Sequence, residues 1–180
     1  MSFLPKEQYA LIEQTIPLVC VDFIPVETQP DDAASRPPRL GLIRRESPFG
    51  RVWCHLGGRI LRGESVRGAL FRHARDTLGT SLDLPADPQP LDVFQWFPPN
   101  DTPADVGAHG EDPRKHAVAL SFLVRMTGDP RPTNEALEFQ YFSPDGLPYE
   151  LWPGTETLVG RLLAAARRGA VQGLPGSLMS

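Results

Sequence analysis

Four residues at fixed spacing carry the most readable chemistry in this sequence: Gly58, Glu64, Arg72 and Asp76. They lie in the run Gly58-Arg59-Ile60-Leu61-Arg62-Gly63-Glu64, followed after seven residues by Arg72-His73-Ala74-Arg75-Asp76-Thr77-Leu78-Gly79. Carboxylate oxygens are the donors that hard divalent ions take, and planar guanidinium forks bind phosphate oxygens in pairs. Residues 73, 76 and 77 are three and four apart, so on a helix His73, Asp76 and Thr77 project from one face. Three carboxylates there would hold Mg²⁺ and phosphate oxygens, and with His73 and Thr77 in two of the places Asp76 is the acid left on that face. The alternative is structural: Glu64 and Arg72 form an ion pair that stabilises the fold, and the rest of the face is solvated.

A helix from about Glu64 to Leu78 must present these groups, because Val66, Leu70 and Ala74 recur at intervals of four and define a buried stripe. Leu18 to Ile24, bracketed by Pro17 and Pro25, predicts a buried strand with Asp22 inside it. Leu40 to Arg45 and Arg51 to Leu56 predict two strands joined by the turn Ser47-Pro48-Phe49-Gly50, with Gly57-Gly58 breaking the second. Leu91 to Phe97, His116 to Met126 and Leu137 to Phe142 supply further strands. Helices are expected over Pro5 to Gln14 and from Pro153 to Arg168, the latter stopped by Gly169. Strands interrupted by an internal and a terminal helix give an α/β (α+β) class with a mixed β-sheet flanked by helices, in a single domain over 1–180. Segments 27–38 and 98–115 read as mobile loops and 169–180 as a tail.

Composition narrows the function. The 180 residues carry 18 Lys plus Arg against 22 Asp plus Glu, a formal net charge of -4, so no global basic field attracts nucleic acid. No apolar run approaches the roughly 18 to 20 residues that span a bilayer, and no secretory signal is visible, so a cytoplasmic address is expected. Cys20 and Cys54 are expected as reduced core residues. Twenty prolines and sixteen glycines argue for short elements and irregular loops, against a long helical bundle.

The glycine, five residues, glutamate, seven residues, arginine pattern resembles the Nudix box, in which arginine is followed by Glu-aliphatic-any-Glu-Glu-any-Gly. Gly58, Glu64, Arg72 and Gly79 match; His73, Asp76 and Thr77 stand where the box has glutamates. The resemblance implies a Nudix-type α/β/α sandwich that holds Mg²⁺ or Mn²⁺ weakly against a diphosphate, with Gly58, Glu64, Asp76 and Glu135 as metal ligands. The order of Leu18 to Ile24, Trp53 to Arg59, His116 and Gly173-Leu174-Pro175-Gly176 resembles the GDP-mannose mannosyl hydrolases, whose own box is incomplete. That likeness implies a homodimer hydrolysing a nucleoside-diphosphate sugar at the anomeric carbon, with Asp22, Arg44, Arg59 and Arg72 handling the diphosphate. The Gln-His pair of that family falls on Glu135 and Ala136. Since Ala136 transfers no proton, Glu135, Glu138, His109 and His116 are the candidate bases. Asp22, Glu135 and His116 form the expected catalytic set. Phe94, Trp96 and Phe97 are core aromatics or a platform for a nucleobase. The alternative function is a catalytically impaired Nudix-fold module that binds a nucleotide or a regulatory partner.

Overall fold

The densest apolar run of the chain becomes its central strand. In a computed structural model that describes residues 5–27 and 38–171, β1 (Leu18–Glu27) runs parallel to β8 (Ala117–Thr127) in register from Leu18↔Ala117 to Pro25↔Val124. The other strands are β2 (Arg39–Ser47), β3 (Gly50–Cys54), β4 (Leu56–Arg59), β5 (Ser81–Asp83), β6 (Asp92–Phe97), β7 (Gly110–Glu111) and β9 (Glu138–Phe142). The sheet is mixed, in the order β3-β2-β1-β8-β6-β7, with β4 added to β1, β5 to β8 and β9 to β2. Together with α1 (Lys6–Thr15), α2 (Val66–Leu78) and α3 (Thr155–Val171) it makes the α+β arrangement that the sequence predicts. No helix among the described residues is long and apolar enough to cross a membrane.

One edge of β1 is shared by two partners. Its first half, Cys20 to Phe23, pairs with β4; its last residues, Val26 and Glu27, pair with β2. The chain from β2 through β3 therefore leaves the central sheet and returns to it as β4, and the edge forks. Gly57 and Gly58, expected to break a strand, instead form the middle of β4, and the break falls one residue after Cys54. Glycine makes this return possible: Gly57 has φ +135, and a Cβ there would lie 2.0 Å from the Val21 carbonyl oxygen.

α2 begins where the apolar spacing puts it. Ser65 caps it by accepting from the Gly68 amide at 3.0 Å, and Gly79 ends it in the left-handed conformation. Leu70 and Ala74 are fully buried and Val66 packs against the same core. Thr77 is buried too, while Asp76 is exposed. Adjacent helical residues point about 100° apart, so the side of α2 that meets the sheet takes Thr77 and leaves Asp76 in water. The three-residue face expected from spacing alone is thus divided by packing.

Segment 98–115 contains a 3₁₀ turn over Pro99–Asp101 and the two-residue β7, which pairs with β6. α3 continues through Gly169, and β5 is a strand that the sequence pattern had not signalled. Residues 28–37 of the first expected loop and 172–180 of the expected tail, including Gly173 to Gly176, lie outside the described residues.

Candidate functional site

A cleft of about 500 Å³, counting its open mouth, lies at the fork of β1. Cys20 and Asp22 reach it from β1, Arg45 from β2, Cys54 and His55 from the end of β3, Gly57 and Gly58 from β4, and Asp112, Arg114 and Lys115 from the turn before β8. Trp96 and Trp152 complete the wall.

Asp22 lies at its base, 3% exposed. Its Oδ2 accepts from the Trp96 indole Nε1 at 2.8 Å and lies 3.2 Å from His55 Nε2; the imidazole stacks on the Trp96 ring with centroids 4.8 Å apart. A buried carboxylate needs donors of this kind. Trp96 is therefore a buried partner of Asp22, and Phe94 and Phe97 are core residues. Both cysteine thiols are pushed up to about 12 by burial and are neutral walls of the cleft.

The cationic wall comes from residues that spacing alone did not single out. The Arg114 guanidinium makes two bonds to Asp112, Nε to Oδ1 and Nη2 to Oδ2, each 2.8 Å, and its charge is held firmly by that pairing. Arg45 pairs with Glu135 at 2.9 Å. Successive strand residues face opposite sides, which is why Arg45 reaches the cleft while Arg44 turns to Glu138 at 3.1 Å and Glu150 at 3.8 Å. The signal that could have found the wall is the alternation on β2 and the cluster Asp112, Arg114, Lys115 before an apolar strand.

Of the sequence-predicted residues, Asp22 and Gly58 line the cleft, and Glu135 stands behind Arg45. The others are placed elsewhere. Arg72 binds Glu64 through Nε to Oε1 at 2.7 Å and Nη2 to Oε2 at 2.8 Å, and donates from Nη2 to the Arg59 carbonyl at 2.9 Å. Arg59 lies over the Tyr9 ring at 4.2 Å. Asp76 pairs with Arg75 at 3.0 Å. His116 stacks on Phe97 at 4.3 Å with Nε2 3.4 Å from Gln95 Oε1, and His109 bonds its own loop at Gly107. His73 sits against Gly58, where an added Cβ would meet its Cε1 at 2.8 Å, and contacts the Arg59 carbonyl at 3.2 Å.

These placements decide whether the box fits the divalent ion that the resemblance implies. Both Glu64 oxygens are engaged by Arg72, with Oε2 also accepting from the Leu61 amide at 2.9 Å, and the space beside Gly58 is filled by an imidazole. Among the described residues no group of three or more His, Cys, Asp or Glu side chains is arranged to hold a metal. The donor set does not fit a hard cation that demands several oxygens. The Glu64–Arg72 unit is instead an ion pair that ties the β4–α2 loop to the helix.

That unit has a pH signature. The Arg72 hydrogen bonds hold the Glu64 carboxyl below its ordinary range, so its stabilisation is present above the ordinary glutamate value and disappears as pH falls through its lowered one. Burial holds the His73 imidazole below its ordinary value of 6.5, so the unfolded chain takes up that proton first and stability falls below about pH 6.5. The thermal midpoint should be flat between pH 7 and 8, decline below about 6.5, and fall further in the glutamate range. Arg72→Met should cost about 1–3 kcal/mol, by orphaning the half-buried Glu64. A midpoint constant down to pH 5 in thermal unfolding would contradict the His73 placement.

A family model of a domain of unknown function, DUF4916, matches residues 1–168, nearly the whole described chain. The chain belongs to the DUF4916 family. A crystal structure of a possible asymmetric diadenosine tetraphosphate (Ap4A) hydrolase from Jonesia denitrificans is 32% identical over 89% of this chain and 98% of its own, with a TM-score of 0.71. A MutT Nudix hydrolase from Burkholderia pseudomallei is 23% identical over 81% and 98%, TM-score 0.57. An ADP-ribose pyrophosphatase from Streptococcus suis is 18% identical over 84% and 93%, TM-score 0.55. This DUF4916 chain therefore has the Nudix fold, with the cleft of Asp22, His55, Arg45 and Arg114 at the fork of its central strand.

Proposed function

We propose that this chain hydrolyses a nucleoside-diphosphate derivative, with nucleoside-diphosphate sugars as the substrate class, in the cleft at the β1 fork. The observation that carries the reading is the chemistry gathered there: three cations, Arg45, Arg114 and Lys115, around buried Asp22 and its partner His55. Guanidinium and ammonium groups neutralise a leaving diphosphate, and a proton acceptor beside them takes the proton of the attacking water. Water attacks the carbon that bears the diphosphate, the carbon–oxygen bond breaks, and its electron pair leaves with the diphosphate. Glu135, whose Oε2 pairs with Arg45 at 2.9 Å, is the proposed base through its other carboxylate oxygen. The neighbours named for Ap4A and ADP-ribose support the class, since both compounds join a nucleoside to linked phosphates.

A second reading, a nucleotide-binding module without turnover, is favoured by the engagement of both Glu64 oxygens and by His73 beside Gly58. Incubating the protein with GDP-mannose, ADP-ribose and Ap4A, each with Mg²⁺, Mn²⁺ or EDTA, and resolving products by chromatography separates the two. The expected result is slow release of free sugar from GDP-mannose, lowered about 10²-fold or more in Glu135→Gln. Binding of a nucleotide by calorimetry with no product in any arm supports the module. Neither binding nor product dismisses both. The homodimer implied by the resemblance to GDP-mannose mannosyl hydrolases is read from the same preparation by light scattering.

A further inference from the structure

We infer that the two linked phosphates of the ligand are gripped without a metal ion, by Arg45 and Arg114 set over the Trp152 indole with Lys115 beside them. The inference rests on the nucleotide reading above and names the subsite that would replace the Nudix box. The Arg114 guanidinium lies 5.2 Å and that of Arg45 6.0 Å from the same Trp152 ring. The ring is fixed: Nε1 donates to the Glu111 carbonyl at 2.6 Å, and the Trp152 amide donates to the Trp53 carbonyl at 2.9 Å. Each guanidinium is also held by an acid. Asp112, 4% exposed, takes two donors of Arg114 and is itself fixed by the Arg114 amide at 3.0 Å; Glu135 takes Arg45.

A guanidinium has five N–H donors in a rigid fork. Arg114 spends two on Asp112, which leaves the others for phosphate oxygens. Two guanidinium groups held by separate acids and by one aromatic ring are preorganised, so little side-chain entropy is lost when an anion binds. A diphosphate presents two phosphoryl groups to such a pair. The three acids, Asp22 and Asp112 in the cleft and Glu135 on Arg45, equal the three cations in number, so an anion is held by the N–H donors left over from those pairings rather than by a net positive charge. The box offers no competing grip, because Glu64 is closed by Arg72.

Inorganic pyrophosphate tests this without turnover. Titration calorimetry in EDTA should detect its binding, and added Mg²⁺ should not be required. Arg45→Gln and Lys115→Gln should each raise the dissociation constant, Arg45→Gln by about 10- to 100-fold, the worth of a charge-assisted hydrogen bond. Arg45→Lys should restore only part of the affinity, and Arg167→Gln, on the exposed face of α3, should leave it unchanged. Arg114→Gln orphans buried Asp112 and can unfold the protein, so the first two variants carry the test, each with its thermal midpoint measured. Binding that appears only with Mg²⁺ overturns the metal-free grip. Affinity unchanged in Arg45→Gln and Lys115→Gln, or no pyrophosphate binding while GDP-mannose is turned over, overturns the subsite and leaves the proposed hydrolysis standing. Pyrophosphate binding as described with no nucleotide hydrolysed leaves the subsite standing and removes the hydrolase reading.

Discussion

Asp22→Ala is expected to abolish turnover and to lower stability by about 2–5 kcal/mol. The carboxylate is buried, and its Oδ2 is the partner of the Trp96 indole N–H at 2.8 Å and lies 3.2 Å from His55 Nε2. Alanine leaves two buried nitrogens without an acceptor, at about 1–3 kcal/mol each, and opens a polar void under the stacked His55 and Trp96 rings. Asp22→Asn separates the two effects. Trp96 Nε1 and His55 Nε2 meet the same carboxylate oxygen, so an amide oxygen in its place keeps an acceptor for both and the denaturant midpoint falls less. Loss of the negative charge beside His55 should nonetheless lower hydrolysis by about 10²-fold. Urea unfolding and product release measured on both variants check this. If Asp22→Ala keeps the midpoint and the rate of the parent, Asp22 has neither role.

Gly57→Ala should have the largest effect on folding, about 3–6 kcal/mol, of the order of the total stability of a domain this size. Two costs add: a non-glycine residue at φ +135, about 1–3 kcal/mol, and overlap of the new Cβ with the Val21 carbonyl oxygen at 2.0 Å and the Asp22 Cα at 2.9 Å. Neither contact can yield, because both belong to the backbone of the strand with which β4 is paired. The variant should express mainly as insoluble protein, and any soluble fraction should melt far below the parent. Gly50→Ala is the control: φ is +88 but nothing lies within 4 Å of the added carbon, so only the backbone strain of about 1–3 kcal/mol remains. Equal melting of the two variants would mean that the close approach of β4 to β1 does not limit stability.

Local pattern carried much of the fold. The apolar run at residues 18–24 could only be a covered strand, and the four-residue recurrence of Val66, Leu70 and Ala74 could only be a helix with one buried side. Apolar periodicity reports which side of an element leaves water, and that is a property of neighbouring residues. The box spacing was legible for the same reason, and so was the Glu64–Arg72 ion pair, one of the two readings open from the residues alone.

What the sequence left open is whatever depends on residues brought together from distant segments. Spacing on an isolated helix put His73, Asp76 and Thr77 on one face, yet packing of α2 against the sheet buried Thr77 and left Asp76 exposed. Arg44 and Arg45 are indistinguishable as letters; the pleat of β2 and the fork of β1 decide that Arg45 enters the cleft and Arg44 faces Glu138. His55, Arg114 and Lys115 carry no motif, and they become a site with Asp22 only because β4 returns to β1 and the 112–115 turn closes over the same strand. The sequence by itself determined the central strand, the α2 helix and the Nudix-like box, since these are written in local periodicity and spacing, whereas β4 and β5 exist only through their pairing with β1 and β8. The tertiary structure alone decided which charges meet, because charge and burial at a point in space are set by whichever strands happen to arrive there.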